Sequence, residues 1–166
     1  MKPMIVAVAT LMISVASHSA TSQMGGMRGN SMMEEGHMMG GAGMGDISRL
    51  RHRYFMRHGI DTTYADKSNP LDPNPPVLET GERLYTNNCA SCHGESGLGD
   101  GLAADSLNPK PANITAFSRM PMASDAYLYW TIAEGGAPVN SAMPAFQQNL
   151  EEEEIWSLIT YLRAGL

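Results

Sequence analysis

Apolar residues recur at helical spacing in three stretches of this chain and lack a regular period elsewhere. From about Val77, the positions Leu78, Gly81, Leu84 and Tyr85 follow at intervals of three and four, the repeat of one helix face, and predict a first helix that ends near Cys89. A second helix is predicted over Asp125 to Glu134: Ser124 can cap its start, Leu128 and Ile132 share a face, and Gly135-Gly136 ends it. The third runs from about Glu151 to Arg163, with Ile155, Leu158, Ile159 and Leu162 as its apolar stripe. Asn149, followed three residues later by Glu152, resembles a capping box, and Glu151 to Glu154 suit the positive end of the helix dipole. Residues 94–123 and 135–149 are loops rich in Gly and Pro. About 90 residues with such loops and few apolar side chains make a poor core unaided. A large apolar cofactor would supply the missing centre.

The pattern before Val77 is different. Residues 1–20 begin with Lys2 and an apolar run from Met4 to Ala16, shorter than the roughly 20 residues of a membrane span. This reads as a secretory signal peptide, cut after Ala20 or one residue earlier, with a retained anchor as the alternative. The expected location is therefore the periplasm, and no cysteine near the cut allows bacterial lipidation. Residues 21–48 form a Met/Gly-rich tract with the composition of a disordered tail: seven methionines and eight glycines fall within 24–45. Its thioethers, with His37, are soft donors that suit Cu(I), or the tract is a linker of biased composition. Residues 49–76 hold a basic segment, RLRHRYFMRH, readable as a short helix or an extended strand, and then a stiff linker punctuated by Asn69-Pro70, Asp72-Pro73 and Pro75-Pro76. Arg49, Arg51, Arg53 and Arg57 can fold back on an acidic domain or reach an acidic partner. His52 and His58 read as surface residues or as members of a metal site.

The formal charge of -6 is concentrated in residues 79–166, where 11 acids face 4 bases. Nucleic acid is thereby excluded as a partner, since phosphate binding needs clustered Lys and Arg. The only cysteines, Cys89 and Cys92, would meet an oxidising compartment on export. They stand in Cys89-Ala90-Ser91-Cys92-His93, the spacing of c-type haem attachment, with two thiols one helical turn apart beside an imidazole. Each thiol can add to one haem vinyl group, and His93 then falls beneath the iron. A disulfide or a thioredoxin-like dithiol expects a strand before the motif, and neither gives His93 a task. Zinc would lack a complete tetrahedral set. For the sixth iron ligand, Met143 is favoured because Pro144 biases it towards an extended loop; Met120 and Met122 are the alternatives. Trp130 can donate its indole N–H to a haem propionate or pack against the ring edge. Arg83 and Arg119 are further candidates for the propionates, or solvated surface.

On these motifs residues 77–166 resemble a class I cytochrome c domain: the Gly81 to Tyr85 approach, CASCHGESGLGDG, NPKPANIT, SAMPAF and the closing EEEEIWSLITYLR. The resemblance implies an all-α fold of three main helices with long loops around one covalent haem c. It also implies that the first and last helices cross near Gly81, with Tyr85, Trp156 and Tyr161 around the contact. In this family a proline carbonyl accepts the second ring proton of the histidine, a part that Pro111, or else Pro109, would take. The expected function is single-electron transfer between redox proteins in the periplasm, with His93 and Met143 as axial ligands, no enzymatic chemistry and no stable membrane span after cleavage. Two alternatives remain. One is a haem subunit of a periplasmic oxidoreductase; the other is a haem protein linked to copper handling, with Cu(I) in the tail and a copper protein as partner.

Overall fold

The computed structural model of the chain describes residues 46–166, which are helical, with no strand among the described residues. In order the helices are α1 (Asp46–His58), α2 (Thr62–Ala65), α3 (Pro75–Asn88), α4 (Ala90–His93), α5 (Ile114–Phe117), α6 (Asp125–Glu134) and α7 (Glu152–Gly165). All belong to one compact unit.

The helix ends follow local chemistry. The Asn74 side chain accepts from Val77 N–H at 3.2 Å, and Pro75-Pro76 fill the first turn of α3, where a missing N–H costs nothing. The prolines expected to stiffen a linker therefore open a helix, two residues before Val77. Helix α6 has the expected bounds and caps: Tyr127 N–H donates to Ser124 Oγ at 3.2 Å, and Gly135 leaves the helix at φ +64°. At α7 the capping box lies two residues later than expected, between Glu151 and Glu154, with Glu151 N–H donating to the Glu154 carboxylate at 3.1 Å. Asn149 is taken up by an earlier turn, in which the N–H groups of Asn149 and Leu150 both donate to the Phe146 carbonyl. Glu152 pairs with Lys67 instead, at 2.7 Å.

Helices α3 and α7 cross at Gly81, as the resemblance implies. A Cβ at position 81 would lie 2.4 Å from the Ser157 carbonyl oxygen and 2.5 Å from Tyr161 Cβ, so only glycine lets the two backbones approach this closely. Tyr85 and Tyr161 flank the crossing with ring centroids 6.0 Å apart. Trp156 does not join them; it turns to α6 and meets Tyr129 at 4.6 Å.

Helix α6 is apolar on nearly every side, because the segment before α3 covers the face that α7 leaves open. Tyr54 of α1 stacks on Trp130 at 6.0 Å, Phe55 meets Tyr127 edge-on at 5.2 Å, and Tyr64 of α2 packs on Tyr129 at 5.9 Å. Polar ties hold the rest of the strap. Asn69 N–H donates to Asp125 at 2.9 Å, its side-chain amide donates to Thr160 Oγ1 at 2.9 Å, and the Tyr64 hydroxyl donates to Glu134. Residues 49–76 are thus a packed part of the domain. Arg53, Arg57 and His58 are exposed, whereas Arg51 is buried and His52 half-buried.

The crossing yields a prediction whose sign opposes helix propensity. Ala normally stabilises a helix interior by about 1 kcal/mol over Gly. Gly81→Ala should instead destabilise the protein by about 1–3 kcal/mol in denaturant titration, the range for overpacking. Glu82→Ala, exposed on the next position, should stay within about 0.5 kcal/mol of the parent.

Candidate functional site

Cys89 ends α3 and begins α4: its N–H donates to Tyr85 O at 2.8 Å, and its carbonyl accepts from His93 N–H at 2.8 Å. The short turn of α4 sets Cys89, Cys92 and His93 on one wall of an apolar cleft. Ile132 of α6, Leu158 and Leu162 of α7, and Met143 from the loop after α6 also border it. The surface of the cleft is almost wholly apolar.

Glycines shape the loop behind the motif. Tyr85 Oη donates to the Gly94 carbonyl at 2.6 Å, where the chain turns at φ +81°. Gly99, at φ +85°, lies so close to the next loop that a Cβ would sit 2.6 Å from the Pro111 carbonyl oxygen. The Pro111 and Ala112 carbonyl oxygens both lie close to Gly99, and it is Ala112 that accepts from His93 Nδ1–H at 2.9 Å. The acceptor is therefore Ala112 rather than Pro111 or Pro109, although both prolines line the cleft. With Nδ1 as the donor, Nε2 keeps a free lone pair. Burial lowers the pKa of His93, and the hydrogen bond to Ala112 opposes it only in part, so the site favours the neutral ring. Burial, reinforced by neighbouring Cys92, pushes the Cys89 thiol up to about 12. Cys89 and Cys92 are not joined in a disulfide.

Met143 is held at its backbone, where its carbonyl accepts from Gly136 N–H at 2.8 Å. Gly135 leaves room for the loop, since a Cβ there would lie 2.3 Å from the Pro144 carbonyl oxygen. Met120 and Met122 do not border the cleft, and Met122 is exposed. Trp130 is also absent from the cleft wall: it stands two residues, about 200° of helix turn, from Ile132, and packs on α1. Arg83 and Arg119 are exposed. No group of three or more His, Cys, Asp and Glu suited to a metal ion occurs among the described residues. Two thiols, one imidazole nitrogen and one thioether around an apolar cleft fit a covalently attached haem and do not fit a tetrahedral metal site.

Residues 76–162 match the protein family described as cytochrome C oxidase, cbb3-type, subunit III. The chain belongs to this family. It is a c-type cytochrome domain, and its chemistry is haem-based electron transfer. One relative, the cbb3-type cytochrome c oxidase subunit CcoP of Azospirillum brasilense, is 30% identical over 131 residues, which is 78% of this chain and 43% of that protein. The cytochrome chain thus spans less than half the length of this relative. A solved chain of the Kuenenia stuttgartiensis reducing HAO-like protein complex is 25% identical, with a TM-score of 0.48 over 57% of this chain and 46% of that one.

Two features of the cytochrome site escaped sequence reasoning. Ala112 carries no side-chain signal, because only its peptide plane acts. Arg51 borders a recess beside His93 and Met143 from α1; the four arginines were expected only to fold back on the domain at large, and the finer signal was the position of Arg51 four residues before Phe55, on the face that packs. The Met-rich tract and its expected Cu(I) chemistry lie outside the described residues.

The geometry around Gly99 predicts that Gly99→Ala displaces the Pro111-Ala112 peptide and loosens His93. The left-handed backbone alone should cost about 1–2 kcal/mol. Thermal unfolding should therefore start earlier, and the yield of haem-bearing protein should fall. A variant with parental yield and melting would show that the loop does not orient His93.

Proposed function

We propose that this chain carries single electrons on one haem c, bound through thioethers from Cys89 and Cys92, with His93 Nε2 and Met143 Sδ as axial ligands, in the periplasm. The observation that carries this reading is the meeting of all four side chains on one apolar cleft, with His93 Nδ1 already committed to Ala112. The bound haem supplies the Fe(II)/Fe(III) couple. The protein supplies orientation and environment: Cys89 and Cys92 would hold the haem at α4, and Ala112 fixes the imidazole tautomer. Apolar side chains from α6 and α7 exclude water, which favours the less charged iron state. A thioether ligand also favours Fe(II) and raises the potential.

A haem enzyme would need an open or labile sixth position, and Met143 borders the cleft to fill it. The donor and acceptor are proposed to be redox proteins of a respiratory assembly, in keeping with a relative that is a subunit of a cbb3-type oxidase. Lys2 followed by the apolar run from Met4 to Ala16, the pattern of a secretory signal, supports the periplasmic location.

The Met143→Ala variant tests the ligand set. Oxidised parental protein should show the weak far-red band of sulfur ligation. Met143→Ala should lose that band, show a lower potential and bind carbon monoxide when reduced. Retention of the band in Met143→Ala, or its loss in Met120→Ala or Met122→Ala, would contradict the assignment.

A further inference from the structure

Next to the cleft lies a second recess that it shares with His93, Ile114, Ile132, Met143 and Leu162, but not with the two cysteines. Its remaining wall includes Arg51, Tyr127 and Thr131. These three side chains hold polar atoms that have no hydrogen-bond partner and lie buried behind the largely apolar surface of the recess. Arg51 is only 3% exposed; its Nη2 donates to the Gly135 carbonyl and its guanidinium lies 4.9 Å from the centre of the Trp130 ring, yet Nη1 has no partner. Tyr127, 1% exposed, has an unpartnered hydroxyl, and the buried Thr131 Oγ1 has none either. Positions 127 and 131 share one face of α6, so the two hydroxyls stand one turn apart.

A buried cation with one free N–H face and no carboxylate against it is strongly disfavoured unless an anion completes the site. Arg51 is in none of the ion pairs among the described residues. Glu134, the acid that most affects its charge, is already engaged by the Tyr64 hydroxyl and the Gln147 amide. The recess therefore asks for a carboxylate from elsewhere. Haem bears its propionates on the side of the ring away from its vinyl groups. A ring held by Cys89 and Cys92 at its vinyl edge directs those carboxylates away from the cysteines, towards the recess that shares His93 and Met143.

We propose that Arg51, Tyr127 and Thr131 form a binding site for a haem propionate, so that α1, which precedes the family-matched segment, completes the cofactor site. This rests on the haem reading above. Arg51 offers the paired N–H geometry that suits carboxylates, and the hydroxyls of Tyr127 and Thr131 add neutral donors. Burial pushes the Tyr127 hydroxyl up to about 12, which keeps it a donor. A guanidinium fixed beside the ring also disfavours the more positive ferric state, so Arg51 raises the reduction potential.

The test uses full-length, haem-loaded protein and reads two properties, the propionate bending band in resonance Raman and the reduction potential at mildly alkaline pH. Arg51→Gln should shift the band and lower the potential while keeping the far-red sulfur band, and Arg51→Lys should recover part of the potential. Tyr127→Phe, which removes only a hydroxyl, should shift the band with a smaller change in potential. If Arg51→Gln fails to fold, Tyr127→Phe decides: a shifted band supports the site and an unmoved band overturns it. An Arg51→Gln protein that is merely less stable, with band and potential unmoved, overturns the proposal and leaves Arg51 as a packing residue for Gly135 and Trp130. Parental protein without haem overturns the haem reading itself, and this site with it.

Discussion

The backbones of α3 and α7 touch at Gly81, with no space for even a methyl group between them. From this contact the position of the reactive motif follows. Cys89 lies eight residues further along α3, about two helical turns, so the angle and depth of the crossing set where the thiols and His93 begin. Leu158 and Leu162, one turn apart on α7, then face the same cleft as Cys89. A change at Gly81 would be felt at the cleft wall because interiors are close-packed and transmit displacement.

The polar groups around the cleft show a consistent division. On the side of the cysteines each is satisfied within the chain: His93 by Ala112, Tyr85 by Gly94, and the start of α4 by the end of α3. On the side of α1 the groups Arg51, Tyr127 and Thr131 are left with free donors. Buried donors without acceptors are few in folded proteins. Their concentration beside one cleft indicates a chain shaped around an anionic, largely apolar molecule rather than around its own side chains.

What was legible in the sequence was what short-range chemistry determines. Ser124 and Gly135 bracket α6 because a cap and a left-handed glycine act within a single turn. The attachment motif was legible for the same reason. Pro111 missed the acceptor by one residue, since composition identifies a loop but not which of its peptide planes turns towards the histidine; that depends on how the loop packs against Gly99 and His93, contacts between segments rather than within one turn. The segment 49–76 was read as basic tail and linker because its charge and prolines dominate its composition. Its burial depends on Trp130, Tyr127 and Tyr129, aromatic partners more than 60 residues away on α6. Trp130 was read towards the cofactor for want of that partner helix.

The central claim is that Cys89 and Cys92 bind one haem covalently. Intact mass spectrometry of the protein, matured in cells that attach c-type haem and then denatured in acid and organic solvent, tests it most directly. A single species heavier than the processed chain by one haem is expected. A species at the mass of the processed chain alone, with the haem left in the solvent, would contradict it.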